Sequence, residues 1–206
     1  MDQRTRSDDL TELMATWADN VLSRVRIAVP VKLVKDSDGQ TVEAQPQIQG
    51  LALQPDGTTK FIDLPSFADM PINSHGGGGI TTTHAHKEGD EGLALMTQQA
   101  FEVWFQRGGI QQPGDVRMHA LSDAFYVPGV RNQTRALKGV STTSTQTRTD
   151  DKQTVLDVSH MALTSVRKDT AHQVNDNAVQ SQKGSSSHVV DAQGIQSTGG
   201  KFFWNC

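Results

Sequence analysis

The sequence predicts a mainly β protein with a helical segment at residues 1–24, a small β domain at 25–130 and a polar β-rich tail at 131–206. Three observations lead to this prediction. Helical apolar spacing opens the chain, and short β-like runs separated by Gly-containing turns follow it. The composition then changes after Pro128, because all seven prolines lie at or before that residue and no Phe, Tyr or Trp lies between Val127 and Lys201.

The distribution of charge supports the same boundary. Residues 1–130 carry 10 basic and 17 acidic side chains, a net charge of −7, whereas residues 131–206 carry 9 basic and 6 acidic side chains, a net charge of +3. Such a shift marks a domain boundary. No segment has the roughly 20 apolar residues that span a bilayer, and MDQRTRSDDL lacks the apolar centre of a secretory signal. We therefore expect the chain to stay in the cytoplasm where it is made, unless other machinery exports it.

The N-terminal segment has the features of an amphipathic helix. Ser7 is the expected N-cap, and Asp8 and Asp9 are favourable near the positive end of the helix dipole. Apolar side chains follow at helical spacing, namely Leu10, Leu13, Met14, Trp17 and Val21.

The middle of the chain reads as short strands and turns. RVRIAVPVKLV predicts a strand, and its Pro30 suggests a sheet edge or a bulge. Asp38-Gly39 and Asp56-Gly57 predict hairpins, while ITTTHAH and EGLALM predict two strands joined by the KEGDEG turn. A short helix is expected around QQAFEVWFQ, with Phe101, Trp104 and Phe105 on one side. Strands this short and numerous favour a small barrel or sandwich.

The tail has a strand-like pattern but few apolar side chains. Residues 131–201 contain only 13 Val, Ile, Leu or Met, too few to offset the conformational entropy of ordering this length of chain alone. Two outcomes remain, disorder or assembly with other chains, and the Thr/Val alternation without proline favours assembly. A hydroxyl ladder on one strand face is expected from Ser141, Thr143, Thr145, Thr147 and Thr149. A second shared face is expected from Leu156, Val158, Ala162 and Val166, with His160 between them.

Two segments resemble the N-terminal domain of the membrane-puncturing spike proteins of contractile bacteriophage tails. They are ADMPINSHGGGGITTTHAHKEGDEGLAL, from Ala68 to Leu95, and the later RMHALSDAFYVPGVR. The resemblance covers roughly residues 20–130 and depends on the order and spacing of several motifs. Those motifs are Pro71, Gly76 to Gly79, Lys87 to Leu93, His119 to Phe125 and Pro128-Gly129.

The resemblance implies a homotrimeric structural protein of the virion rather than an enzyme. The β domain would be an OB-fold collar attached to the tail hub. The tail would be an intertwined triple-stranded β-helical needle, in which each strand has partners in two other chains. Contraction of the sheath would drive this needle through the bacterial outer membrane.

The tip of the needle departs from that family. Many such spikes hold an iron ion through a His-x-His pair near the C-terminus, but the only such pair here is His84-Ala85-His86, inside the β domain. A tip metal ion is therefore not supported, and no cofactor is expected. We expect Phe202, Phe203 and Trp204 to form the tip, where they would pack in the apex, contact the membrane or dock a separate tip protein. The single cysteine, Cys206, is interpreted as an incidental terminal residue.

Two other functions fit parts of the sequence. A trimeric adhesin or receptor-binding tail fibre would also have a β-rich stalk, but the short FFWNC end offers little room for receptor sites. A metal-dependent hydrolase could use His84 and His86 with Asp90, since alternate residues of a strand point the same way. His75 and His119 are the nearest further ligands, and neither has a supporting motif.

Other residues that suggest a binding site have simpler interpretations. Gly76 to Gly79 lacks the Lys-Ser/Thr of a phosphate-binding loop and is interpreted as a turn. His160, His172 and His188 could form three-fold metal or anion sites on a needle axis, but exposed or packed polar residues are the commoner case. The β domain is acidic and has no alternating basic and aromatic residues, so nucleic-acid binding is not expected.

Overall fold

The structure is a computed structural model that describes residues 3–22 and 25–199, with the side chains of the first helix described from Leu10 onward. The chain divides into two compact units, Met1–Thr134 and Arg135–Cys206. Neither α-helix of the described part has the length and apolar content needed to cross a membrane.

The first unit contains two α-helices and nine strands within its described residues. In chain order these are α1 (Gln3–Leu22), β1 (Ala28–Leu33), β2 (Thr41–Pro46), β3 (Gly50–Leu53), β4 (Thr59–Ile62), β5 (Phe67–Pro71), β6 (His75–Gly77), β7 (Ile80–Thr82), β8 (Glu91–Met96), α2 (Glu102–Arg107) and β9 (Ala124–Pro128).

Five of these strands form one antiparallel sheet in the order β5-β2-β1-β8-β9. The sheet curls into a half-barrel. Its outer strands are linked by a parallel bridge between Ile72 and Tyr126, where the backbone N–H of Asn73 donates to the carbonyl of Tyr126 at 2.8 Å. The pairs β3–β4 and β6–β7 are separate hairpins. The predicted mainly β fold with an N-terminal helix is confirmed.

The core of the half-barrel comes from one face of each strand. Strands β1, β2 and β8 alternate buried and more exposed residues, as expected when one face covers a core. Tyr126 is the largest of the fully buried side chains. The buried apolar cluster consists of Val29, Val31, Leu33, Val42, Ala44, Phe67, Met70, Ala94, Met96, Ala124 and Tyr126.

Three turns lie where the glycines predicted them. Asp38-Gly39 lies in the β1–β2 connection, where the Asp38 carboxylate accepts the backbone N–H groups of Gln40 and Thr41 at 2.8 and 2.7 Å. Asp56-Gly57 closes the β3–β4 hairpin. Gly78 and Gly79 form the two-residue loop of the β6–β7 hairpin and both have positive φ, so this glycine run is a tight turn.

Pro30 lies in the central strand of the sheet, so the predicted edge or bulge is wrong. Proline is tolerated there because its missing N–H faces the β2 side of β1, just beyond the end of the β1–β2 ladder. The Pro30 carbonyl on that side accepts the backbone N–H of Gln47 at 2.8 Å. The proline therefore costs the sheet no ladder hydrogen bond within β2.

The helix α1 begins at Gln3, four residues before the predicted N-cap Ser7. Ser7, Asp8 and Asp9 lie inside the helix rather than at its start. Nothing between Gln3 and Ser7 breaks a helix, since the segment has neither proline nor glycine. The capping motif at Ser7 is therefore overridden by continuation of the helix.

Phe101, Trp104 and Phe105 lie on one side of α2, as predicted, and two of them contact Phe125 of β9. The ring of Phe101, just before the helix, stacks on Phe125 with centroids 4.6 Å apart, and Trp104 meets Phe125 edge-on at 6.2 Å.

Arg117 links the loop after α2 to strand β9, because its guanidinium donates to both oxygens of the buried Asp123 carboxylate at 2.7 and 2.8 Å. Asp123 belongs to the HALSDAF motif, so this motif residue has a structural role.

The second unit is a single meander of seven strands in its described residues. The strands are β10 (Thr145–Arg148), β11 (Thr154–Val158), β12 (Ala162–Arg167), β13 (Thr170–Asn175), β14 (Ala178–Lys183), β15 (Ser186–Asp191) and β16 (Gly194–Thr198). Strand β11 is joined to β12 by the three residues 159–161, and from β12 onward consecutive strands are joined by two-residue loops at 168–169, 176–177, 184–185 and 192–193. From β12 to β15, a six-residue strand and a two-residue loop therefore repeat every eight residues.

Two expectations about this unit need correction. The hydroxyl ladder is shorter than predicted, because β10 begins at Thr145 and the Ser141 hydroxyl instead bonds the Ser144 hydroxyl. Leu156 and Val158 lie on the opposite sheet face from Ala162 and Val166, because the loop at 159–161 reverses the chain between them. Within the single chain, the short loops fold each strand back onto the one before. The expected strand partners in two other chains stay a prediction.

Candidate assembly surface

One face of the seven-stranded sheet carries a continuous line of apolar side chains. Each of the strands β11 to β16 contributes one residue, and each residue is the direct register partner of the next across the sheet. We call this line the apolar row. It consists of Val158, Leu163, Val174, Val179, Val190 and Ile195.

The apolar row faces solvent in the single chain. The exposed fraction of its side chains runs from 37% for Val174 to 71% for Ile195. Burying one such side chain fully is worth about 1.5–3 kcal/mol, and contiguous exposed apolar surface commonly marks an interaction site. The row is therefore the candidate assembly surface of this unit.

The opposite face of the sheet is mixed, with Val155, Val166 and Val189 among polar side chains that hydrogen-bond one another. The Asp157 carboxylate accepts from the Ser144 hydroxyl at 2.8 Å and also from the Gln146 side-chain amide. Further along the sheet, the Gln180 amide donates to the Gln173 side-chain oxygen at 2.5 Å. Because these groups are already paired with one another, this face has less need of a partner than the apolar row.

A line of alternating serine and histidine residues lies beside the apolar row on the same face. The Nδ1 atoms of His172 and His188 are each 2.8 Å from a serine hydroxyl on the next strand, Ser181 and Ser197 respectively. His160 is not in this line, because it lies in the exposed loop between β11 and β12. The structure therefore brings His172 and His188 onto one face with ring nitrogens already bonded, and leaves His160 apart from them.

The signal for this surface is an internal repeat of 16 residues that the sequence analysis missed. Val158, Val174 and Val190 are 16 residues apart, and so are Leu163, Val179 and Ile195. His172 and His188 follow the same period. Two strands and two loops make up one period. Residues 16 apart therefore lie two strands further along the sheet, on the same face and at the same position along their strands.

The candidate metal pair in the first unit is not arranged as predicted. Strand β7 ends at Thr82, so His84 and His86 lie in the irregular segment that leads to the Lys87–Asp90 turn. Their ring centroids are 6.2 Å apart. The His86 ring is only 8% exposed and packs edge-on against Tyr126 at 5.5 Å, whereas His84 is exposed. Among the described residues, no three His, Cys, Asp or Glu side chains are grouped closely enough to hold a metal ion.

Burial lowers the pKa of His86 because the charged imidazolium loses hydration, and nearby His84 adds to this effect while Asp90 opposes it. With a folded-state pKa below the unfolded one, the unfolded chain takes up the proton more readily. Stability is therefore expected to fall as the pH drops through about 6.5, and to level off below the folded-state pKa.

We expect this effect to appear as a fall in Tm between pH 7.5 and 5.5, measured by thermal unfolding. His86→Gln should reduce the slope, whatever its absolute Tm, while His75→Gln, at an exposed position in β6, should retain it. Equal slopes in the two variants would show that His86 is not the titrating group.

The predicted tip residues Phe202, Phe203 and Trp204 lie outside the described residues, as does Cys206. Their role as a membrane-contacting or docking tip stays a prediction.

Comparison with known proteins bears on the first unit. Residues 29–129 match the family model described as the Phage protein Gp138 N-terminal domain. The match begins in β1 and ends directly after β9, so it covers the half-barrel and leaves out α1 and the seven-stranded sheet. It indicates a phage structural protein of the baseplate or spike type, and hence a component of the virion. No match was found among the curated proteins.

Proposed function

We infer, from the match of residues 29–129 to that phage domain, that this protein is the central spike of a contractile tail baseplate. Three copies assemble around one axis. The half-barrel unit attaches the spike to the tail hub, and the seven-stranded unit forms the needle that pierces the bacterial outer membrane when the sheath contracts.

The observation that carries this proposal is the apolar row. Three chains related by a three-fold axis can turn their apolar rows toward that axis and exclude water from it, with the opposite faces outward. Each row spans six strands at about 4.8 Å per strand, so the buried line is long and narrow rather than a compact patch. A long apolar interior closed by three sheets suits a stiff rod that transmits force.

The loops of the same unit favour a spike over an adhesin. Between Thr154 and Thr198 the connections are two or three residues long, so this stretch of the chain has no extended loop that could form a receptor-binding site. The work of membrane penetration comes from the contracting sheath, and the needle needs stiffness rather than catalytic groups.

The mass and shape of the purified full-length chain test this proposal. Sedimentation should give about 67 kDa, three times the 22.4 kDa of one chain, with a frictional ratio typical of an elongated particle. Immunogold labelling of phage particles should then place the protein on the axis of the baseplate, at one trimer per tail. A monomeric mass would contradict the assembly, and label along peripheral fibres would favour the adhesin.

A further inference from the structure

Helix α1 exposes a stripe of large apolar side chains. Leu10, Leu13, Met14, Trp17 and Val21 all have more than 40% of their surface accessible. In a helix of 20 residues this stripe is a large apolar surface that no other described residue covers. Most of the stability of a protein helix comes from packing of its apolar face, so α1 needs a surface to pack against.

The spacing within the stripe is that of a coiled coil. Leu10, Met14, Trp17 and Val21 are separated by four, three and four residues, which is the 3.5-residue period of heptad positions d, a, d and a. We call the line of Leu10, Met14, Trp17 and Val21 the seam. The acidic residues Glu12 and Asp19 both fall at position f, on the side of the helix opposite the seam. Charge is therefore kept away from the seam, as a helix–helix contact requires.

The residues beside the seam indicate which partner α1 takes. Between Leu10 and Val21, positions e and g are Thr11, Leu13, Ala18 and Asn20, none of which is charged, whereas the first turns of the helix carry Arg4 and Arg6 at these positions. No pair of opposite charges at e and g therefore selects a different helix as partner. The apolar Leu13 and Ala18 widen the seam beyond positions a and d, which favours more than two helices.

We propose that α1 packs against α1 of two further copies as a parallel three-helix coiled coil. The helices are parallel because a three-fold axis relates the chains. This inference rests on the trimer of the proposed function and adds a second, separate interface to it, in the first unit of the chain. The spike is then held together at the helix as well as along the apolar row.

Cysteine crosslinking of the full-length chain tests this arrangement. In a Cys206→Ser background, Met14→Cys places a thiol in the seam and Glu12→Cys places one at position f on the outside. Val21→Cys and Asp19→Cys form a second matched pair, in case Met14→Cys disturbs folding. Each variant is treated with a short bifunctional thiol reagent and analysed on denaturing gels, alongside its sedimentation mass.

The seam variants should give covalent dimers that account for up to two thirds of the chains, because one reagent joins two of the three thiols. Their yield should not change on dilution, and the outer variants should yield at least fivefold less. A trimeric mass with equal crosslinking in seam and outer variants would overturn the coiled coil and leave the proposed spike standing. A monomeric mass would overturn both.

Discussion

Val179→Asp is expected to convert the trimer into monomers. Val179 lies in the middle of the apolar row, between Val174 and Val190 on the neighbouring strands. In the proposed assembly the substitution places three carboxylates near one axis, away from water. Burial of an unpaired charge costs several kcal/mol for each ion, and the three also repel one another. Sedimentation should show a fall from about 67 to 22.4 kDa.

Gln182→Asp is the matched control for this substitution. It introduces the same side chain in the same strand, β14, but on the face opposite the apolar row and at an exposed position. We expect it to retain the trimeric mass. If Val179→Asp also stayed trimeric, the apolar row would not be the interface, and the proposed arrangement of the needle would fail even though a trimer existed.

Gly92→Ala is expected to destabilise the half-barrel strongly. Gly92 lies in β8, between β1 and β9. A Cβ atom added there would lie 2.7 Å from Cζ of Tyr126 and 2.7 Å from the carbonyl oxygen of Val127. The tyrosine is fully buried and the carbonyl belongs to the backbone, so neither can move away at low cost. Overpacking of this kind typically costs about 1–3 kcal/mol.

Thermal unfolding measures the effect, at about 2–4 °C per kcal/mol for a chain of this length. Gly77→Ala is the control, because a Cβ atom at Gly77 would meet nothing within 4 Å and its backbone is not in the left-handed region. The control should match the wild-type Tm. An unchanged Tm in Gly92→Ala would mean that Tyr126 can shift, and that the close approach of β8 and β9 is not required.

The turns were predictable from sequence because their signals are local. Asp38-Gly39 and Asp56-Gly57 act through the φ angle of one glycine and the short reach of one carboxylate, and both lie in hairpin connections of the structure. The aromatic side of α2 was predictable for a similar reason, since helical spacing alone places Phe101 and Trp104 together.

Pro30 shows where local reasoning stops. The missing N–H of a proline forbids one hydrogen bond on one side, and whether that side has a partner depends on where the neighbouring strand ends. Strand β2 pairs with β1 only from Val31 onward, which is a property of the whole sheet. His86 is a similar case, because its burial against Tyr126 depends on residues 40 positions later in the chain.

The sequence by itself determined that the chain is mainly β, that it begins with an amphipathic helix, and that its composition changes near Pro128. These properties follow from periodicity and composition, which act over a few residues. Only the tertiary structure decided which side chains share a face of the seven-stranded sheet. Each two-residue loop reverses the chain, so the face that a residue occupies depends on the number and length of the loops before it. The apolar row therefore appears only when the register of all its strands is known.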